Sequence, residues 1–192
     1  MKKIGYVACL LIAAVMFGAL AGMSQSQPGP EEYQAVAMGQ GEFMGQMNNV
    51  TIHISSYSTD AERQALVTVF EQGGSAALSK ALTKQPSHGN VEISGSTGVE
   101  IAYVRKMPGA NGGTRIRILA NKPLSLAGAQ SGGISNDALS AIELDLAAAN
   151  GKNKGTLLPA CMFVVDKKTH DLAVQNYLNP WSLTDVKLRG KK

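Results

Sequence analysis

The chain has 192 residues, with 18 Lys and Arg against 14 Asp and Glu and a formal net charge of +4. That length suits a single domain able to bury a core without metals or disulfides. With 17% charged residues and two cysteines, the composition excludes a charge-rich disordered tail and a disulfide-dense scaffold.

At the N-terminus Lys2 and Lys3 precede an apolar run over residues 4–20, which closes in the small-residue pattern Ala19-Leu20-Ala21. A positive start, an apolar stretch and an A-x-A pattern in that order predict a signal peptide over residues 1–21, cut after Ala21. The run, at about 17 residues, falls short of the roughly 20 that a spanning helix needs. Export to the periplasm or the exterior, with no transmembrane anchor after cleavage, is the expectation. Removing residues 1–21 takes away two lysines and leaves +2. Lys187, Arg189, Lys191 and Lys192 hold four more cations, so residues 22–186 carry −2. The basic excess therefore belongs to the ends. The body offers no aromatic-basic platform, zinc finger or basic helix, which argues against a nucleic-acid partner. The four terminal cations would make a weak electrostatic contact with an acidic envelope surface. Cleavage also removes Cys9 and leaves Cys161 inside the apolar run 157–165, where it reads as a small buried hydrophobe.

Residues 22–32, rich in Ser, Gln, Gly and Pro, predict a flexible leader to a single α+β domain over 33–192 with a short basic C-terminal tail. Residues 33–38 read as a strand and 39–45 as a turn. Val50, Ile52 and Ile54 then alternate with Thr51, His53 and Ser55, which gives a strand with one apolar face. Thr59-Asp60-Ala61-Glu62 has the form of a capping box. Ala61, Ala65, Leu66, Val69 and Phe70 behind it make an apolar stripe, and Gly73-Gly74 predicts a stop. A second helix over 75–84 would bury Ala77, Leu78, Ala81 and Leu82.

Period two then returns. Residues 91–93 and 99–101 predict a hairpin with Val91, Ile93, Val99 and Ile101 turned inward. Residues 107–113 and 127–133 read as loops, 115–118 and 142–146 as strands, and 150–155 as a turn into strand 157–165. After a turn at 166–170, strands 172–177 and 182–188 flank an Asn179-Pro180 break. The short connections imply antiparallel pairing. The fold class expected is α+β: an antiparallel curled β-sheet or small β-barrel of about 8–10 strands with one early helical pair.

The chemistry-bearing residues are sparse. Neither a G-x-S-x-G elbow nor an S-x-x-K motif occurs, so no catalytic residue is assigned. The glycine-rich stretch 109–114 leads into a strand and lacks the Lys-Ser/Thr of a phosphate loop, so it reads as a hairpin loop. His53, His88 and His170 have no two-ligand spacing. His53 is expected to point outward from its strand, and His88 and His170 to be solvated turn residues. Lys152 and Lys154 stand where a calcium loop needs carboxylates. No metal and no cofactor is expected.

Paired charges remain. Glu92 and Glu100 lie on opposing arms of the expected hairpin and would face each other across it. Arg115 and Arg117 share one strand face, as do Glu143 and Asp145. On an outer face these four would form cross-strand ion pairs; inside a barrel they would line a polar ligand site. These six residues are the candidate ligand-binding set.

The pattern Val50-x-Ile52-x-Ile54, the capped helix, and Gly74-x-x-Ala77-Leu78-x-x-Ala81-Leu82 resemble a group of predicted secreted bacterial proteins of unknown function. The likeness continues through Ile142-Glu143-Leu144, Gly151-Lys152-x-x-Gly155, Pro159-Ala160 and Asn176-x-x-x-Pro180-x-x-Leu183-x-x-Val186. The resemblance implies export and a shared fold, and it assigns no activity. Members of the group carry a D-R-P-like turn before an acidic loop, whereas this chain has Asn121-Lys122-Pro123-Leu124 followed by an acid-free stretch at 125–133. A site built from those acids would be absent here. The expectation is thus an exported, non-catalytic domain that binds a small ligand or an envelope partner in a curled-sheet cavity. The alternatives are a structural or interaction module of the envelope, and a small envelope enzyme using a carboxylate/arginine site.

Overall fold

The structure, a computed structural model, describes residues 29–126, 139–148 and 151–189. The expected signal peptide and the 127–133 loop lie outside the described residues.

Alternating apolar residues set the strands. In β1 (Glu31–Gly39), Tyr33, Ala35 and Ala37 are buried on one face, and in β2 (Met47–Ile54) so are Val50, Ile52 and Ile54. After α1 (Asp60–Leu82) come β3 (Gly89–Ile93), β4 (Val99–Pro108), β5 (Thr114–Ala120), β6 (Leu139–Leu146), β7 (Lys154–Val165), β8 (Leu172–Leu178) and β9 (Trp181–Arg189). All pairings are antiparallel. Strands β1 to β6 follow as neighbours, β1 also pairs with β9, β9 with β7, and β7 with β6. Eight strands therefore close into a barrel, which decides between the curled sheet and the barrel expected from the sequence. β8 stays outside the ring, paired to β7.

The closure depends on one break. A single register runs along β7 from Gly155↔Leu183 and Leu157↔Trp181 to Ala160↔Leu178 and Cys161↔Tyr177. β8 and β9 are thus two halves of one long strand path. At Asn179, with φ of 49°, and Pro180, which cannot donate to a ladder, the path is interrupted. β9 goes on to pair with β1, and β8 remains on the distal half of β7.

The bore is filled. Ile52, Ile116, Ile142, Leu144, Leu157 and Trp181 are fully buried in it, and Phe43 stacks on Trp181 with ring centroids 5.7 Å apart. Each such large side chain contributes about 1.5–3 kcal/mol by leaving water, and an eight-strand barrel is narrow enough for side chains to fill. The cavity within the sheet expected from the sequence is occupied by this core.

The helix packs on the outside. Leu66, Val67, Leu78 and Leu82 meet Tyr103, Leu119, Ala141, Leu158 and Phe163 from the outer faces of β4 to β7. The capping box forms as expected: the Thr59 amide donates to Glu62 Oε2 at 2.6 Å and the Glu62 amide to Thr59 Oγ1 at 3.2 Å. The helical pair holds in part: a break falls at the expected Gly73-Gly74, but the two stretches run on without a loop between them. One helical element spans Asp60–Leu82, and within it only Gly74 leaves helical dihedrals, at φ 63° and ψ −156°. Glycine bears that left-handed φ without strain, so the chain bends there and the helix resumes. The stripe is also rotated: Ala61 and Ala65 are exposed, and Val67 is buried beside Leu66.

Candidate functional site

On β5 and β6 the apolar residues Ile116, Ile118, Ile142 and Leu144 take the bore. Strand alternation then sends Arg115, Arg117, Glu143 and Asp145 to the outer face. Register places Arg115 opposite Asp145 and Arg117 opposite Glu143. Arg115 Nε donates to Asp145 Oδ1, and Arg117 Nε to Glu143 Oε1, both at 2.7 Å. The Arg115 guanidinium is held above its ordinary value, first by the bond to Asp145. Of the two readings open in the sequence, cross-strand pairing on an outer face is the one formed.

The charged row continues across the sheet. Arg105 lies opposite Arg117 on β4 and donates to Asp60 at 2.9 Å at the start of α1. Asp171, buried in the turn before β8, accepts from the Tyr103 hydroxyl at 2.6 Å and faces Arg105 Nε at 3.8 Å. Burial, followed by the bond to Asp171, pushes the Tyr103 phenol far up, so it stays a donor. Arg117 Nη1 donates to the Leu172 carbonyl and Arg63 Nη1 to the His170 carbonyl. These bonds clamp the helix start and the β7–β8 turn onto the barrel wall.

At its other end the row opens into a cleft of about 500 Å³. Its walls are the turn at Gly109 and Asn111, the Arg115–Asp145 pair, and the β6–β7 connection with Gly151, Lys152 and Lys154. Gly113 lets that turn press on β6, since a Cβ there would meet the Leu146 carbonyl oxygen at 2.4 Å. Asn153 ties the connection down: its Oδ1 accepts from the Ala147 amide at 3.0 Å and its Nδ2 donates to the Val186 carbonyl at 3.2 Å. Lys152 and Lys154 are exposed and have no ion-pair partner among the described residues. Two uncommitted cations beside a neutralised pair give the cleft a basic lining. In the sequence these lysines count only against calcium, because nothing local shows that the 109–113 turn stands opposite them.

Glu92 and Glu100 do not converge. Register puts Glu100 opposite Asn90 and Val91 opposite Val99, so the two acids are offset. Glu92 accepts from Asn90 Nδ2 at 2.9 Å and Glu100 from Asn121 Nδ2 at 3.0 Å, both on the exposed surface. The hairpin expected to make them face each other has its facing positions taken by Val91 and Val99.

The histidines divide. His53 points outward, 3.4 Å from Glu32, and His170 lies in its turn with φ of 50°. His88 is a correction: only 5% exposed, it shares a 2.9 Å hydrogen bond with Ser56 through Nδ1, and its Nε2 lies 3.5 Å from Glu62. Its backbone joins β4 and the end of β2, the His88 amide donating to the Ile101 carbonyl and the Ser55 amide to the His88 carbonyl, both at 2.8 Å. A second missed cluster centres on Glu31 at the start of β1, a residue expected to be leader. Glu31 accepts from Tyr57 at 2.6 Å, Tyr33 at 2.7 Å and Lys106 at 2.9 Å. Burial alone would raise the Glu31 carboxyl, but the two phenols and Lys106 hold it below the usual carboxylate value.

Cys161 is buried, and its Sγ donates to the Leu139 carbonyl at 3.1 Å. Burial pushes its thiol up to about 12, which disfavours the thiolate at neutral pH. Of the expected basic tail, Lys187 and Arg189 belong to β9, and Arg189 pairs with Glu32 at 3.0 Å. Lys191 and Lys192 lie outside the described residues. Among the described residues no group of three His, Cys, Asp or Glu side chains is placed to hold a metal ion, and no helix is long and apolar enough to cross a membrane.

No family model, no curated protein and no solved structure matches the chain.

Proposed function

We propose that the protein is an exported, non-catalytic binding domain that takes a small acidic ligand in the cleft beside Arg115, Lys152 and Lys154. The observation that carries this reading is the cleft's chemistry: about 500 Å³ of open space lined by two exposed lysines with no ion-pair partner among the described residues. That volume lies within the range of small-molecule sites. The bore does not compete as a binding place, because its space is filled by the core. An acid/base role is not supported at the cleft, where Asp145 is committed to Arg115. Export rests on the N-terminal pattern of the sequence.

Isothermal titration with inorganic phosphate and with citrate tests the reading. Saturable binding of either anion, weakened by added salt and lost in Lys152→Glu/Lys154→Glu, is the expected result. Equal heats from wild type and the double variant would overturn it. Both lysines are exposed, so the double variant should keep its fold.

A further inference from the structure

We propose a soft-metal site at the tip of the β1–β2 hairpin, where the thioether sulfurs of Met38, Met44 and Met47 bind a monovalent soft cation such as Cu(I). Five large apolar side chains are exposed among the described residues, and three of them are these methionines, at 42%, 80% and 66% exposure. Met38 and Met47 are direct cross-strand partners. The next pair toward the tip, Gly39 and Gln46, is hydrogen-bonded, the Gly39 amide donating to the Gln46 carbonyl at 3.0 Å. Met38 and Met47 therefore hold the non-hydrogen-bonded position, in which facing Cα atoms approach to about 4.5 Å and side chains come closest. Each thioether has three rotatable bonds, enough to turn two sulfurs onto one ion. Met44 adds a third donor from the same tip, three residues before Met47.

The tip is held in place from below. Phe43 is anchored on Trp181, and a Cβ at Gly39 would lie 2.1 Å from the Phe43 carbonyl oxygen, so the loop folds back tightly over that glycine. The electrostatics suit a cation. The β9 partner of Met38 is Ser182, Glu42 is exposed in the loop, and residues 38–47 contain no Lys or Arg. Thioethers are soft ligands that select Cu(I) over hard divalent ions. A patch serving only apolar contact would use Leu, Ile or Val equally well, and this tip uses none of them.

The test uses the full chain carrying ¹³C-methyl methionine, titrated in chloride-free buffer with Ag(I), a redox-inert probe of Cu(I) sites. The methyl signals of Met38, Met44 and Met47 should shift together and saturate at one equivalent, while Met162 stays unmoved. Met38→Leu/Met47→Leu, a near-isosteric change on the surface, should lose the binding and keep the unfolding midpoint. The proposal fails if the three methyls do not move, if Met162 moves with them, or if the double variant binds as wild type does. Metal captured by Cys161 would leave the three methyls unmoved and would likewise overturn it.

Discussion

The two faces of the β4–β6 wall are built from the same strands and behave oppositely. Inward, Ile101, Val104, Ile116, Ile118, Ile142 and Leu144 join a packed bore. Outward, the same strands carry Arg105, Arg115, Arg117, Glu143 and Asp145 in paired rows that end in a basic cleft. Period-two alternation produces both faces at once, because each residue given to the core places its neighbour outside. The contrast places stability in the bore and, on the proposed function, recognition on the wall, and it can be broken from either side.

The largest effect is expected in the bore. Trp181→Ala removes a fully buried indole and the platform for Phe43, and should lower unfolding free energy by about 3–5 kcal/mol in urea titration. If that variant lost little, the bore would not be the main source of stability. Next is Arg117→Ala on the wall. It leaves the Leu172 carbonyl and Glu143 short of a donor in a site where Arg117 is only 8% exposed, for a loss of about 1–3 kcal/mol. Arg115→Ala removes a pair that is one-third exposed and should cost less than about 1 kcal/mol, falling as salt is added. A difference in that order between two Arg–carboxylate pairs measures how much the burial of Arg117 beside Leu172 adds.

The pH dependence sharpens the same comparison. Glu31 and Glu62 both have carboxyls held below the ordinary value of 4.5, Glu62 by the Thr59 bonds and the nearby His88 in spite of its burial. In each case the unfolded chain binds protons at a pH where the folded chain does not. Their contribution is therefore complete above the unfolded value and is lost as pH falls through the lower folded values. Stability should decline on acidification from about pH 5, and Glu31→Gln should flatten that decline, as read by unfolding midpoints across a pH series. An acid limb unchanged by Glu31→Gln would show that this cluster does not carry it.

What could be read from the sequence was local. The alternation at Val50–Ile54, the Thr59–Glu62 box, the 91–101 hairpin and the Asn179-Pro180 break all rest on neighbours within a few residues. Closure did not, since β1 with β9 and β9 with β7 pair across long separations in the chain. The irregularity between Ile101 and Tyr103 places Ala102 and Tyr103 together outside the bore, which strict alternation does not foresee. The same limit applies to the site. The Arg115–Asp145 and Arg117–Glu143 pairs were legible as possibilities because their spacings match. The burial of His88, the Glu31–Tyr57–Lys106 cluster and the lysines across from Gly109 each depend on segments far apart in the chain.

The most direct test of the division between bore and wall is to map where an acidic ligand perturbs the folded protein. With citrate added to isotopically labelled protein, amide shifts should concentrate at Gly109, Asn111, Gly151, Lys152 and Lys154, and vanish in Lys152→Glu/Lys154→Glu. The Ile116, Ile142 and Leu144 methyls in the bore should stay still. Shifts centred on those bore methyls, or a cleft pattern that survives the double charge reversal, would contradict the account.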